Sequence, residues 1–152
     1  MRHIDVGDAA PDLTLSTHDN ELIALADYRE RKAVVIFFYP KDGTPVCTKE
    51  ACAFRDAYED FVDAGAVVIG VSSDSATRHQ EFASNHRLPF VLISDEEGRA
   101  SRAFGVPKSL GLLPGRVTYV IDKAGIVRHI FSSQLAVDRH VNEALQVVRE
   151  LN

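Results

Sequence analysis

Short, continuous apolar runs alternate along the chain with segments in which apolar residues recur every three or four positions. The runs are rich in β-branched residues, which is typical of buried strands. The clearest runs are 33–38, 66–72, 91–94 and 117–121. Three further strands are predicted at 13–16, 22–24 and 126–131. Helical spacing predicts helices at 75–85, 97–104 and 137–151, and one more directly after the run 33–38.

The order of these elements predicts the fold class. Strand–helix–strand units that end in a hairpin and a helix are typical of a thioredoxin-like α/β fold, with a central mixed sheet between helices. The strands 13–16 and 22–24 would form an N-terminal β-hairpin in front of that sheet. The 152 residues are 45% hydrophobic and contain no linker or repeat, so we expect one domain over 1–152.

Cys47 and Cys52 are the only cysteines in the chain, and both follow closely after the apolar run 33–38. A disulfide between them would close a very short loop, which removes little conformational entropy from the unfolded chain. A chain of this length can also build a core without such a bond. We therefore interpret the two thiols as a redox couple rather than as a structural disulfide.

The residues before Cys47 predict the start of a helix. Thr44 is a preferred N-cap residue, and Pro45 suits the first helical position, where its missing N–H costs nothing. Cys47 then lies in the first turn, where unpaired backbone N–H groups and the helix dipole favour a thiolate. The pattern therefore predicts an activated, nucleophilic sulfur at Cys47.

The two thiols should face different surroundings on this helix. Apolar positions continue from Cys47 mostly at spacings of four and three, which turns this cysteine toward the core. These positions are Ala51, Phe54, Tyr58, Phe61 and Val62. Cys52 instead heads an acidic row that we expect to be exposed, namely Asp56, Glu59 and Asp63. Cα atoms five positions apart on a helix are roughly 8–9 Å from each other, so a disulfide requires local unwinding.

A carboxylate near Cys47 raises the question of a compensating cation. Glu50 lies about one turn after Cys47, and an uncompensated charge there would raise the pKa of the thiol. Arg116 could reach both residues from a distant strand. Local candidates are Lys41, Lys49 and Arg55. The pattern alone does not choose among these four residues.

The motif formed by Pro40, Thr44 and Cys47, Pro-x-x-x-Thr-x-x-Cys, resembles the active-site signature of peroxiredoxins. The four-residue spacing to Cys52 resembles the peroxiredoxin Q group, also called bacterioferritin comigratory protein. Similar segments extend over nearly the whole chain, at 7–13, 88–95 and 115–122, and those at 104–107 and 113–116 resemble the cyanobacterial and plastid branch. Val46 stands where the group often has glycine, so we expect a narrower peroxide entrance.

The resemblance implies a thiol peroxidase of the atypical two-cysteine kind that acts in antioxidant defence and redox homeostasis. Cys47 would attack hydrogen peroxide or an organic hydroperoxide and become a sulfenic acid. Cys52 would then condense with it to form an intramolecular disulfide. Thioredoxin or a similar dithiol protein would be the reductant, and no metal or organic cofactor is implied. Because the sulfurs can pair within one chain, a monomer is expected.

The resemblance also implies roles for the residues around the sulfur. Thr44, the Cys47 N–H and Arg116 would donate hydrogen bonds to the two peroxide oxygens. Pro40 would shield the sulfur from water and over-oxidation. Glu50 would orient Arg116, which would also answer the question of the compensating cation.

Composition and charge exclude other classes of function. With 17 Lys and Arg against 22 Asp and Glu, the net charge of -5 and the lack of a basic cluster disfavour a nucleic-acid partner. No stretch approaches the ~18 apolar residues of a membrane span. We expect a cytoplasmic protein, or a stromal one if a transit peptide has been removed.

Two cysteines at this spacing also allow interpretations besides a peroxidase. They could be inert buried thiols, or ligands of a zinc site. The histidines show no paired metal-ligand spacing near them, and we interpret each as a surface or packing residue. They are His3, His18, His79, His86, His129 and His140. A disulfide oxidoreductase would need the Cys-x-x-Cys spacing that this chain lacks, whereas a redox sensor would use unwinding of the helix on oxidation to change a partner surface.

Overall fold

The computed structural model describes residues 4–109 and 113–151 of the protein. Its strands are β1 (Thr14–Ser16), β2 (Leu22–Ala24), β3 (Ala33–Phe38), β4 (Ala66–Ser72), β5 (Val91–Ser94), β6 (Lys108–Ser109), β7 (Leu113–Pro114), β8 (Val117–Ile121) and β9 (Val127–Ser132). Its helices are α1 (Pro45–Asp56), α2 (Tyr58–Asp63), α3 (Ala76–His86), α4 (Arg99–Phe104) and α5 (Val137–Glu150). A 3₁₀ turn, Leu25–Tyr28, follows β2.

A five-stranded mixed sheet in the order β5-β4-β3-β8-β9 organises the fold. Strands β5, β4 and β3 run parallel, whereas β8 is antiparallel to both β3 and β9. All six residues of the central strand β3 are buried, which explains why its sequence is continuously apolar rather than alternating. The N-terminal hairpin of β1 and β2 is a separate antiparallel pair, as predicted.

Alternate residues of β3 supply two hydrophobic layers, one on each face of the sheet. Val35 and Phe37 pack with buried residues of α1, α3 and α5. Val34 and Ile36 pack on the opposite face with residues of α4 and the N-terminal hairpin. The sheet therefore lies between helices, as the order of elements predicts.

The main correction to the predicted elements concerns the helix that carries the cysteines. It is interrupted at Ala57, which separates α1 from α2, although the apolar spacing continues across the break. Val62, which the apolar spacing placed on the core side, is 42% exposed. Small differences occur elsewhere: α4 starts two residues later than predicted, and the antiparallel pairing of β6 with β7 was not predicted.

Over residues 4–109 and 113–151, every helix is too short or too polar to cross a bilayer.

Candidate active site

The register of the sheet brings the start of α1 and the start of β8 together. Phe38, the last residue of β3, pairs with Val117, the first residue of β8. The chain leaves β3 through a turn that contains the half-buried Pro40 and enters α1 at Pro45. Arg116 directly precedes β8, so it lies at the same edge of the sheet as the first turn of α1.

Thr44 and Pro45 begin α1 as predicted, but the threonine hydroxyl acts differently. Thr44 has the extended backbone of an N-cap residue, with φ −76° and ψ 151°, and Pro45 occupies the first helical position. The hydroxyl does not cap a helical N–H; it donates to the carbonyl of Lys41, 3.1 Å away. This bond closes the turn and leaves the first-turn N–H groups without a side-chain partner from Thr44.

Arg116 is the cation that the structure places at the sulfur. Cys47 is only 1% exposed, and Arg116 Nη2 lies 3.2 Å from its Sγ. The same guanidinium donates from Nη1 to Glu50 Oε1 over 2.6 Å and from Nε to the Gln134 carbonyl over 2.9 Å. Each of the three guanidinium nitrogens thus has a hydrogen-bond partner. These bonds fix the orientation of the side chain beside the sulfur.

The local cations that the sequence left open are engaged elsewhere or face solvent. Lys41 and Lys49 are both exposed. Arg55 donates to the carboxylate of Asp56 and to the carbonyl of His86. A guanidinium 3.2 Å from Sγ stabilises negative charge on that atom, and this role falls to Arg116.

The Glu50–Arg116 pair is buried on both sides, and burial governs how its carboxyl titrates. Burial raises the pKa of Glu50 to about 7, although the charge and hydrogen bond of Arg116 act in the opposite direction. Burial alone would lower the pKa of Arg116, but Glu50 and Cys47 outweigh that effect and raise it. Arg116 is therefore always cationic, whereas the charge of Glu50 changes near neutral pH.

His140 contacts the second oxygen of Glu50 but does not neutralise it. Its Nδ1 lies 3.7 Å from Glu50 Oε2, an oxygen that has no hydrogen-bond partner in the described parts of the chain. Burial lowers the pKa of His140 to about 4, so the ring is neutral. Nε2 then donates to the Ser133 carbonyl over 2.8 Å, and Nδ1 accepts from the Thr118 hydroxyl over 2.7 Å. Arg116 therefore remains the cationic partner of Glu50.

His140 was interpreted from sequence only as a surface or packing residue. It does pack, because it is fully buried, but it also forms one wall of the Glu50 site. A signal for its burial is present in the sequence: it continues the apolar face of α5 formed by Val137, Val141 and Ala144.

A second buried polar network fixes the turn between β3 and α1. His79 Nδ1 lies 2.5 Å from Asp42 Oδ2, and its Nε2 lies 2.9 Å from the Ile93 carbonyl. The Tyr39 hydroxyl donates to Asp42 Oδ1, and the Asp42 N–H donates to Asp74 Oδ2. Burial raises the pKa of Tyr39 well above its ordinary value, which keeps its hydroxyl protonated as a donor. The network ties the turn to α3 and β5.

This network also groups the types of atom that bind metals. One ligand atom each from Asp42, Asp74 and His79 lies within 4.8 Å of the others, and all three residues are buried. The carboxylates and the imidazole already have protein partners, so they form a connected structural network. Sequence reasoning missed it because Asp42 and His79 are 37 positions apart.

Gly115 allows Arg116 to enter the site. Its N–H donates to the Pro107 carbonyl over 2.7 Å, and a Cβ atom at this position would lie 2.7 Å from the same oxygen. Because a backbone carbonyl cannot give way as a flexible side chain can, the close approach requires glycine. It fixes the chain one residue before the arginine that contacts the sulfur.

Cys52 is less buried than Cys47 and lies near the exposed acidic row, as predicted. Asp56 and Glu59 are exposed as predicted, but Cys52 is half-buried, and its Sγ lies 3.8 Å from His86 Nδ1 of α3. Both cysteines are free thiols on the same continuous helix. Formation of a disulfide by unwinding of α1 stays a prediction.

Comparisons with known proteins place the chain in a family. Residues 6–130 match the AhpC/TSA family. Peroxiredoxin Q, chloroplastic, of Oryza sativa subsp. japonica is 47% identical over 149 residues, which are 97% of this chain and 68% of that protein. The chloroplastic peroxiredoxin Q of Arabidopsis thaliana is 47% identical over 147 residues, which are 96% of this chain and 68% of that protein.

Solved structures agree with the sequence comparisons. Peroxidoxin BcpB from Mycobacterium tuberculosis superposes with a TM-score of 0.91 at 35% identity, over 99% of each chain. A cysteine-to-serine mutant of PrxQ from Xylella fastidiosa gives a TM-score of 0.89 at 26% identity, over 99% of this chain and 98% of that one.

The chain therefore belongs to the AhpC/TSA family, and its fold is the thioredoxin-like fold of peroxiredoxins. It is a thiol peroxidase, similar in sequence and structure to peroxiredoxin Q proteins of plants and bacteria. The resemblance seen in the motif of Pro40, Thr44 and Cys47 is thereby confirmed at the level of the family.

Proposed function

We propose that the protein reduces hydrogen peroxide and organic hydroperoxides through a sulfenic acid on Cys47 and an intramolecular Cys47–Cys52 disulfide. The observation that carries this proposal is the contact between Arg116 and the buried sulfur of Cys47, with Glu50 on the other side of the guanidinium. A nucleophile that is shielded from water, next to a fixed cation, suits a reaction in which negative charge moves along an O–O bond.

In the first step, the Cys47 thiolate attacks one peroxide oxygen. The S–O bond forms as the O–O bond breaks, which leaves a sulfenic acid and a hydroxide or alkoxide that takes a proton and departs as water or alcohol. Arg116, the N–H of Cys47 and the Thr44 hydroxyl donate to the peroxide oxygens as charge develops. For this, the Thr44 hydroxyl turns away from the Lys41 carbonyl. Pro40 limits the access of water.

In the second step, the Cys52 thiolate attacks the oxidised sulfur of Cys47, and hydroxide leaves. Thioredoxin or another dithiol protein then reduces the disulfide and restores both thiols. Because the pair lies within one chain, the protein works as a monomer and needs no metal or organic cofactor.

Two comparisons support particular parts of this proposal. A bacterioferritin comigratory protein from Xanthomonas campestris, 29% identical with a TM-score of 0.86, was solved in connection with alkyl peroxide reduction, which supports organic hydroperoxides as substrates. The plant relatives are chloroplastic, which supports an organelle stroma as the location, with the cytoplasm as the other candidate.

Single cysteine variants test the two assigned roles. In Cys47→Ser we expect no peroxide consumption. In Cys52→Ser we expect one sulfenic acid per chain, trapped by dimedone and detected by mass spectrometry, and no turnover with thioredoxin. Thioredoxin-dependent peroxidase activity in Cys47→Ser would overturn the assignment. Reduction of insulin by the parent protein without peroxide would indicate a disulfide oxidoreductase instead.

A further inference from the structure

Cys52 and His86 meet across two helices. The Sγ of Cys52, on α1, lies 3.8 Å from Nδ1 of His86, which is the last residue of α3. This distance suits a hydrogen bond that involves a sulfur atom, which is larger than oxygen. The contact joins the less buried thiol to an imidazole, the side chain whose unperturbed pKa lies closest to neutral pH.

Several contacts hold the imidazole in this position. Arg55 Nη1 donates to the backbone carbonyl of His86 over 2.8 Å, which ties the end of α3 to α1. The His86 ring packs edge-on against Phe82, with ring centroids 5.0 Å apart. Helix α3 ends directly after His86 because Arg87 adopts the left-handed conformation, with φ 52° and ψ 49°. Contacts other than the one with the thiol therefore hold the His86 ring in this orientation.

The protonation chemistry of the pair follows from its atoms. A neutral imidazole that carries its hydrogen on Nε2 presents the lone pair of Nδ1 to the thiol hydrogen. Nε2 has no hydrogen-bond partner in the described ranges of the chain and is not among the buried atoms without one, so it can exchange protons with water. Charged groups around the pair are Arg55, its partner Asp56, and Arg87 beside His86.

We propose that His86 accepts the proton of Cys52 and so activates this thiol for the resolving step, an inference that rests on the proposed function of Cys52. Nδ1 takes the hydrogen from Sγ and leaves a thiolate beside an imidazolium. The thiolate attacks the sulfur of the Cys47 sulfenic acid; the S–S bond forms and the S–O bond breaks. The departing hydroxide takes a proton from the imidazolium or from solvent and becomes water, and no electron donor is required.

With this role for His86, the two thiols would be activated by different side chains. Cys47 lies beside a permanent cation, Arg116, whereas Cys52 lies beside a proton acceptor, His86. An isolated thiol ionises at a pKa of ~8.5, and an imidazole at ~6.5. With the imidazole as acceptor, the resolving thiol can react at neutral pH, which an isolated thiol does slowly.

The first experiment measures the thiol without any peroxide chemistry. In the Cys47→Ser background Cys52 is the only thiol, and its rate of alkylation by iodoacetamide reports the thiolate fraction. We expect that adding His86→Phe, which keeps an aromatic ring against Phe82, lowers this rate about tenfold at about pH 7. At about pH 10 the rates should converge, because the thiol then ionises unaided.

Two further variants control this measurement. His86→Gln removes the base but keeps a polar side chain, and it replaces His86→Phe if circular dichroism shows that the latter does not fold. His129→Phe removes a histidine whose charged neighbour is Glu143 rather than a cysteine, and its alkylation rate should equal that of the background protein. Equal alkylation rates at about pH 7 with and without His86 would overturn the proposal.

The second experiment follows the reaction itself. After one equivalent of hydrogen peroxide, the conversion of the Cys47 sulfenic acid to the disulfide is followed by quenching and mass spectrometry. We expect His86→Phe to slow this conversion about tenfold at about pH 7. If the parent protein forms no disulfide, the proposed function of Cys52 fails and this proposal fails with it. If the parent forms the disulfide and the variant forms it equally fast, only the role of His86 is overturned.

Discussion

The guanidinium of Arg116 lies 3.2 Å from the sulfur of Cys47, although 69 positions of the chain separate the two residues. The pairing of β3 with β8 makes this contact possible, because it brings the residue before β8 to the first turn of α1. The close approach of Gly115 to Pro107 and the bond from Arg116 to Gln134 then fix the direction of the side chain.

Replacement of Arg116 by lysine tests the geometry of this contact. Arg116→Lys keeps a positive charge but cannot reach Cys47, Glu50 and the Gln134 carbonyl together, because it lacks the guanidinium fork. We expect the rate constant for oxidation of Cys47 by hydrogen peroxide to fall about 10²-fold, as for the loss of one fixed donor to a developing charge. Stopped-flow competition with a peroxidase of known rate measures this constant.

Arg128→Lys is the matched control, because Arg128 forms a half-exposed ion pair with Asp122 away from the cysteines. Its rate constant should equal that of the parent. A rate constant for Arg116→Lys within about twofold of the parent would show that charge alone, without the fork, is sufficient.

The titration of Glu50 predicts a pH dependence of the first step. Because burial raises the pKa of Glu50 to about 7, the carboxyl is neutral below that pH and ionised above it. The neutral form holds Arg116 less firmly, so the rate of Cys47 oxidation should fall as the pH decreases through about 7. Glu50→Gln removes this ionisation. In this variant, the dependence of the Cys47 oxidation rate on pH should no longer include the contribution of Glu50. Identical profiles for the two proteins would contradict this assignment.

The same carboxyl predicts the opposite trend for stability. Its pKa is higher in the folded protein than in the unfolded chain, so the folded state holds a proton that the unfolded state releases. The resulting stabilisation is complete below the unfolded pKa of ~4.3 and is lost as the pH rises to about 7. Urea unfolding of the parent should show this loss between those two pH values, and Glu50→Gln should lack it.

Elements that are marked by a pattern of neighbouring residues could be predicted from the sequence, whereas a feature without such a pattern could not. The strand Ala33–Phe38 could be predicted with its correct ends, because burial on both faces gives an uninterrupted apolar run. The break at Ala57 could not be predicted, because helical spacing continues through it and no glycine or proline marks it.

The same contrast between local patterns and distant contacts applies to the residues of the site. Thr44 and Cys47 were found from helix-start chemistry within a few residues. Arg116 was one of four candidate cations until the family resemblance singled it out, because its contact with Cys47 depends on the register of the sheet. His79 and His86 carry no local signal, since their partners Asp42 and Cys52 are 37 and 34 positions away.

The buried pair of Asp42 and His79 predicts a large effect on stability. His79→Leu would remove the imidazole partner of a carboxylate that is 5% exposed and leave it the Tyr39 hydroxyl, and we expect the free energy of unfolding to fall by about 3–5 kcal/mol. Urea unfolding followed by circular dichroism measures this. The double variant Asp42→Asn with His79→Leu removes the stranded charge and should recover part of the loss. A loss below about 1 kcal/mol in the single variant would show that the carboxylate finds another partner.

Formation of the disulfide predicts a change in amide exchange. Because the cysteines are five positions apart on a continuous helix, we expect the amides from about Val46 to Phe54 to exchange faster in the oxidised protein than in the reduced one. Mass spectrometry after exchange into deuterated water compares the two forms, with α5 as an internal reference. Equal protection of this segment in both forms would contradict local unwinding.

The interruption at Ala57 sets a natural boundary for such a rearrangement. The N–H of Ala57 still bonds back to Ala53, while the carbonyl of Ala57 already accepts from Phe61 of the next helix. If α1 opens on oxidation, we expect α2 to keep its own hydrogen bonds and its buried Phe61, so that rewinding would begin from an intact helix. A cycle of oxidation and reduction would then unwind and rebuild the roughly two and a half helical turns from Val46 to Phe54, while the sheet and the other helices keep their structure.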